Sequence, residues 1–216
     1  GWRAIRFCLS KTDIFRTQLR ALLRAAAFGD LRIMFPMIST MEELVRAREV
    51  LEEAREECRA RGFDVPAQVK AGIMIEVPSA ALCSDALSKK ADFFSRGTND
   101  LIQYTMAVDR GNEKVAYLHD PFNPAVLRLI RSTIEAARKA QIEVSLCGEM
   151  GADPLAAFLL VGMGLRELSM SAVSIPFVKS FLFSQKLEDA ENLAEAVMQM
   201  TSSTQVATYI ANRFKV

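Results

Sequence analysis

The sequence predicts an α/β fold: a parallel sheet covered by helices, arranged as a (β/α)8 TIM-type barrel that lacks its first strands in this chain. Three observations predict it. Short apolar runs alternate with amphipathic helical segments, the pattern of a parallel sheet buried by its own crossovers. Three of those runs end on polar groups: Gly72 to Glu76 on a carboxylate, Ala91 to Gly97 on Thr98-Asn99-Asp100, and Glu143 to Gly148 on a thiol, Cys147, and a second carboxylate, Glu149. Barrel strands deliver side chains to one mouth in this way. Finally, five strands are clear and a sixth, around Ala4 to Leu9, is weak, so a closed barrel needs about two more. The abrupt start, Gly1-Trp2-Arg3, has neither an initiator Met nor a signal-peptide pattern and reads as an excised or processed piece, with the missing strands upstream.

The elements follow in order. Phe15, Leu19, Leu22 and Ala26 recur at helical spacing from Thr12 to Phe28, and Gly29-Asp30 stops that helix. Leu31 to Ile38 is a strand. Thr40 caps a charged helix with the apolar stripe Met41, Leu44, Ala47, Leu51, Ala54 and Cys58, ended by Gly62. Val69 to Val77 is a strand, Ser79 to Lys89 a helix, Ala91 to Gly97 a strand, and a short helix starts near Asn99. Asp109 to Pro124 is a long polar loop with Arg110 and the only histidine, His119; loops of that length in compact domains are commonly functional. Leu127, Ile130, Ile134 and Ala137 mark a helix, Glu143 to Gly148 a strand, Asp153 to Met163 a helix, and Glu167 to Ser171 a strand. Ser174-Ile175-Pro176 opens another helix, and beyond Lys186 the chain is helical only. This divides it into a barrel portion, 1–186, and a helical extension of the same domain, 187–216.

Composition removes several function classes. The 216 residues include 27 Lys plus Arg against 26 Asp plus Glu, which gives no electrostatic reason to expect nucleic acid as a partner. No apolar run reaches the roughly 18 residues of a membrane span. The four cysteines lack Cys-x-x-Cys spacing and there is one histidine, which argues against zinc and for a reducing, cytoplasmic setting.

The candidate chemistry sits at the strand ends. Glu76 and Asp100 follow apolar strands, and two carboxylates from neighbouring strand ends can hold one Mg2+ with open positions for water and an anionic substrate. The plain alternative makes both of them helix N-terminal carboxylates. Asn99 and the backbone after Gly97 could donate to a phosphate. Arg110 and Arg3 could neutralise an anion, or be ordinary surface arginines. Cys147 could move a proton, or be a buried structural thiol. His119 suggests no partner.

Six segments then carry a resemblance: Gly-Trp-Arg-Ala-Ile-Arg at 1–6, Leu-Arg-Ile-Met-Phe-Pro-Met-Ile at 31–38, Ile-Met-Ile-Glu-Val-Pro at 73–78, Gly-Thr-Asn-Asp-Leu at 97–101, Ala-Val-Asp-Arg-Gly-Asn at 107–112 and Leu-Cys-Gly-Glu-Met at 146–150. In this order, over essentially the whole chain, they resemble Enzyme I of the bacterial sugar phosphotransferase system. Two of them would also fit pyruvate phosphate dikinase and phosphoenolpyruvate synthase. The resemblance implies the phosphoenolpyruvate-binding barrel of a cytoplasmic, homodimeric phosphotransferase that phosphorylates a carrier protein through a histidine in another domain. It implies Glu76 and Asp100 as Mg2+ ligands, Asn99, Arg110 and Arg3 as phosphoenolpyruvate-binding residues, and Cys147 as the proton donor to C3 of the enolate. His119 does not match the phosphorylated-histidine motif. Two early strands of the family, each with a phosphate-binding arginine, are absent, so this chain alone is expected to be inactive. Arg96 stands where the family usually has an apolar residue, and Gly151-Ala152 reverses the usual order. A truncated barrel serving only oligomerisation or sensing is the non-catalytic alternative.

Overall fold

The computed structural model describes residues 1–109 and 111–214. The chain opens with helices α1 (Ala4–Ser10) and α2 (Thr12–Ala25), the latter closed by a 3-10 turn at Ala26–Phe28. Then come β1 (Arg32–Phe35), α3 (Met41–Ala60), β2 (Lys70–Ile75), α4 (Pro78–Leu82), α5 (Ser84–Leu87), β3 (Phe93–Gly97) and α6 (Thr98–Met106). After the long loop come α7 (Pro124–Ala140), β4 (Glu143–Cys147), α8 (Pro154–Gly162), β5 (Glu167–Ser169), α9 (Ile175–Phe183), α10 (Leu187–Met198) and α11 (Ser203–Phe214).

Two expectations need correction. The weak strand at Ala4 to Leu9 is helix α1: Ile5, Cys8 and Leu9 fall at helical spacing, and that face packs into the core against α3. The single helix expected over Ser79 to Lys89 is two short ones, broken where Cys83 leaves helical geometry. The cap on α3 is as expected. Thr40 Oγ1 accepts from the Glu43 amide at 3.3 Å, and the Glu43 carboxylate accepts from the Thr40 amide at 3.2 Å.

All five strands are parallel and their spatial order is the sequence order, β1-β2-β3-β4-β5. A doubly wound sheet reverses direction at a switch point; a sequential one does not. Right-handed crossovers that never reverse put every helix on one face, and the sheet twists toward a barrel. Ile33 and Phe35 of β1 are buried beneath the helices, whereas Arg32 and Met34 face the other, open side. The register carries that alternation across the sheet. One row on the open face is Met74, Ser95, Ser145 and Glu167; the row above it is Gly97, Cys147 and Ser169. Ion pairs from Glu143 to Arg32 and Lys70 tie three strands together at the base of that face. Among the described residues β1 and β5 each have an unpaired edge. The C-terminal helices are joined by aromatic packing, with the Phe158 ring edge-on to Phe181 and Phe214 at 6.1 and 5.5 Å.

Arg96 breaks the apolar rule on the helix-covered face. It is 0% exposed, between the buried residues Ile75 and Leu146 in register. One guanidinium nitrogen donates to the Ile130 carbonyl at 2.5 Å; Nε and the other terminal nitrogen are buried without a hydrogen-bond partner. Burial alone pulls this group down to about 9. Desolvating a charge without a counter-ion is costly, and a depressed base penalises the fold in full below its folded pKa. We therefore expect Arg96→Met to raise stability by about 1–3 kcal/mol at pH 7. The gap from the parent should narrow above pH 9, where the guanidinium can lose its proton in the folded state. Urea melts at pH 7 and pH 10 check both the sign and the trend.

Candidate functional site

Sequential parallel strands bring their C-terminal ends onto one rim, and the described candidate residues gather there. Glu76 follows β2 and is only 3% exposed. Its Oε1 accepts from the Met37 amide at 2.6 Å. Met37 lies just after β1 with φ at +59°, a left-handed backbone that non-glycine residues adopt at a cost. That strained turn contributes the donor for Glu76. Gly97, on the neighbouring strand, leaves room for the carboxylate: a Cβ there would lie 2.9 Å from Glu76 Oε2 and 3.0 Å from the Met74 sulfur.

Asp100, in the first turn of α6, sets a second carboxyl against Glu76. Two carboxyl groups so close disfavour ionisation of both at once. Glu76 is accordingly held above its ordinary range, first by burial, with the negative charge and hydrogen bond of Asp100 adding to it. The Met37 amide and the positive charge of Arg3 oppose the shift. Arg3, far off in sequence, thus lies within electrostatic reach of the pair. Arg110 lies outside the described residues.

Asn99 links three segments. Its Oδ1 accepts from the Glu149 amide at 3.4 Å, and its backbone carbonyl lies 3.4 Å from His119 Nε2. His119 therefore has a partner after all, and ties the long loop to the start of α6. A cavity of about 270 Å3 opens beside them, lined by Asn99, His119, Phe122, Glu149 and Asp153. On the next strand, the half-buried Cys147 donates its thiol to the Arg96 carbonyl at 3.2 Å and accepts from the Ser95 hydroxyl at 3.7 Å. Thr98 Oγ1 donates to the Cys147 carbonyl at 3.4 Å. Gly148 then turns at φ +127°, where a Cβ would collide with Thr98 Oγ1. The thiol and the carboxyl pair thus sit at one rim, two strands apart.

Among the described residues no group of three or more His, Cys, Asp or Glu side chains is placed to hold a metal ion. The donor set is two hard carboxylates. That suits a cation such as Mg2+, which keeps several waters and takes one or two protein carboxylates plus oxygen atoms of an anionic substrate. Met37, Ser95, Thr98 and His119 join the site without a role having been assigned to them from the sequence. Met37 gave no signal, whereas Ser95 could have been noticed as a hydroxyl in an otherwise apolar run. A cavity of about 900 Å3 lies at the opposite pole of β4 and β5. Its Arg131 is already paired with Glu135 and Glu195, and barrel chemistry belongs to the other rim.

A family model described as PEP-utilising enzyme, PEP-binding domain, matches residues 1–187. Phosphoenolpyruvate-protein phosphotransferase of Bacillus subtilis (strain 168) is 48% identical over 215 residues, 100% of this chain and 38% of the relative. That of Geobacillus stearothermophilus is 48% identical over 214 residues, 99% and 37%. That of Priestia megaterium is 46% identical over 216 residues, 100% and 38%. The chain thus spans little more than a third of the length of these relatives. A crystal structure of a citrate lyase from Burkholderia xenovorans LB400 shares the fold, with a TM-score of 0.56 at 16% identity over 93% of this chain and 68% of that one.

The raised Glu76 carboxyl fixes a sign for stability. A carboxyl held above its ordinary range favours the fold while protonated, and that contribution is lost as pH rises through its folded pKa. Without divalent cations, the parent protein should lose thermal stability relative to Glu76→Gln as pH increases from 4 to 8. Gln keeps an oxygen for the Met37 amide. Parallel melting curves across that range would contradict the assignment.

Proposed function

Since the chain belongs to the PEP-binding domain family of the PEP-utilising enzymes, we propose that it is the phosphoenolpyruvate-binding and dimerising domain of a phosphoenolpyruvate–protein phosphotransferase. The observation that carries this reading is the buried Glu76 carboxyl beside Asp100 at the same rim as Cys147, with Arg3 within electrostatic reach of Glu76. In the full-length, cytoplasmic, homodimeric enzyme the phosphoryl group would pass to a histidine outside this chain and then to a phosphocarrier protein serving sugar uptake. The matching relatives that extend well beyond this chain support that division. They also favour the phosphotransferase over a dikinase or synthase. The barrel portion is 1–186, with 187–216 as its helical extension.

The chemistry follows from the residues. Glu76 and Asp100 would hold Mg2+, which when bound offsets negative charge on the phosphate and on the enolate oxygen. Asn99 and the first amides of α6, whose N-cap Gly97 offers no side chain, face a phosphate with donors and a positive helix end. Arg3 adds a fixed charge, and Arg110 keeps its phosphate-binding assignment on its motif alone. Phosphoryl transfer asks the protein mainly for positioning and for positive charge around the transferring oxygens. The enolate left behind must gain a proton on carbon, and the Cys147 thiol, half-buried at a strand end, is the group to give it.

Two variants of the full-length enzyme test these roles. Asp100→Ala should weaken Mg2+-dependent phosphoenolpyruvate binding at least about tenfold; unchanged affinity by calorimetry would remove Asp100 from the ligand set. Cys147→Ala should keep that affinity while pyruvate release in the presence of carrier slows by about 10²–10⁴-fold. Turnover equal to the parent would return Cys147 to a packing role.

A further inference from the structure

Ser95 is a hydroxyl in the middle of an apolar strand. Its neighbours Phe93 and Phe94 are buried, and Ser95 itself is 8% exposed. A hydroxyl so placed needs a hydrogen-bond partner. Among the described residues the one it has is the sulfur of Cys147, at 3.7 Å. The register explains the meeting. Ser95 pairs with Ser145 and Gly97 with Cys147, so Ser95 lies on the same open face as the thiol and one row below it. Beneath them lies a cavity of about 200 Å3, lined by Ser95, Ser145, Met34 and Phe93 among others.

The sulfur is therefore bonded on two sides. It accepts from Ser95 and donates to the Arg96 carbonyl at 3.2 Å. Resting on the role for Cys147 proposed above, we propose that Ser95 is the positioning residue for proton donation by Cys147. For that donation the S–H bond must swing away from the Arg96 carbonyl toward the rim. The S–H bond then breaks and a C–H bond forms at C3 of the enolate. The electron pair of the enolate C=C makes the new bond, the enolate oxygen becomes the ketone of pyruvate, and the sulfur keeps the S–H pair as thiolate. Solvent at the rim returns the proton before the next turnover. Ser95 already directs its O–H at this sulfur. A hydrogen bond to an ion is about twice as strong as one to a neutral acceptor, so the contact strengthens as the thiolate forms. An interaction stronger in the transition state than in the ground state accelerates the step and leaves substrate affinity alone.

The test compares Ser95→Ala, Ser95→Thr and Cys147→Ala in the full-length enzyme. Ser95→Ala should lower kcat for pyruvate release about 10- to 100-fold with KM for phosphoenolpyruvate unchanged, and Ser95→Thr, which keeps a hydroxyl, should recover most of it. Iodoacetamide labelling resolved by peptide mass spectrometry should show Cys147 reacting more slowly in Ser95→Ala at pH 7, with the exposed Cys83 unchanged as an internal reference. If Cys147→Ala is slow while Ser95→Ala keeps parental kcat and labelling, the role of Ser95 falls and that of Cys147 stands. If Cys147→Ala turns over normally, the reading of Cys147 fails and this proposal fails with it. A fall in kcat that Ser95→Thr does not restore, with labelling unchanged, points to packing and also overturns it.

Discussion

A carboxyl group at 3% exposure beside a second carboxyl is an unstable arrangement, and the 2.6 Å bond from the Met37 amide to Glu76 is what holds it. That one contact joins the turn after β1 to the end of β2 and fixes where the carboxylate points. The bond depends on a left-handed residue that is not glycine, so the surrounding packing must hold the turn in place; Met37 is itself almost fully buried. From there the site extends strand by strand. Gly97 gives Glu76 room, Asp100 begins the helix that follows Gly97, and Thr98 and Asn99 reach across to the turn after Cys147.

Parallel register makes this possible with few specialised residues. Each row of the sheet presents one side chain per strand at the same height, so a polar residue at one position meets its chemical partner without a long side chain. Glu76 fits over Gly97 because the two stand in one row, and Ser95 reaches the thiol of Cys147 from the row below on the same face. The same alternation sends Arg96 to the helix-covered side, where nothing compensates its charge except the Ile130 carbonyl. One strand of five residues, Phe93–Gly97, thus carries both a hydroxyl that serves the rim and a buried cation that weakens the core.

Most of the architecture was legible in the sequence because parallel β/α units have strong local periodicity. All five clear strands formed, and the cap at Thr40 was visible, although the reciprocal contact from Glu43 was added by the structure. The failure at Ala4 to Leu9 has a local cause. Six residues containing five apolar ones satisfy a strand and a helix alike, and only the packing of Ile5, Cys8 and Leu9 against the core decides. The break at Cys83 had no signal, since neither Gly nor Pro marks it. At the rim, Glu76, Asn99, Asp100 and Cys147 could be proposed from residue type and place at strand ends, and the structure puts them on one rim. Residues that act through the backbone could not be proposed in that way. Nothing in the letters of Pro36-Met37-Ile38 says that the Met37 amide will face a carboxylate 39 residues on, and His119 reaches a backbone carbonyl that no motif encodes.

The strictly sequential order of the sheet also bears on how such a molecule comes together. Every strand pairs only with the units just before and just after it in the chain, so each new β/α unit docks on an edge that already exists. The paired residues stand 21 to 50 positions apart along the chain, as crossover connections between parallel strands require, yet each unit needs only the one before it, so structure can accumulate unit by unit during synthesis. It also grades resistance to local opening along the sheet. Among the described residues β3 is buried along its whole length and flanked on both sides, so its amides are expected to exchange late with solvent deuterium, and β1 and β5, with one neighbour each, earlier. Asn99, just after β3, and Cys147, at the end of β4, are thus attached to strands that have a neighbour on each side, away from the edges of the sheet.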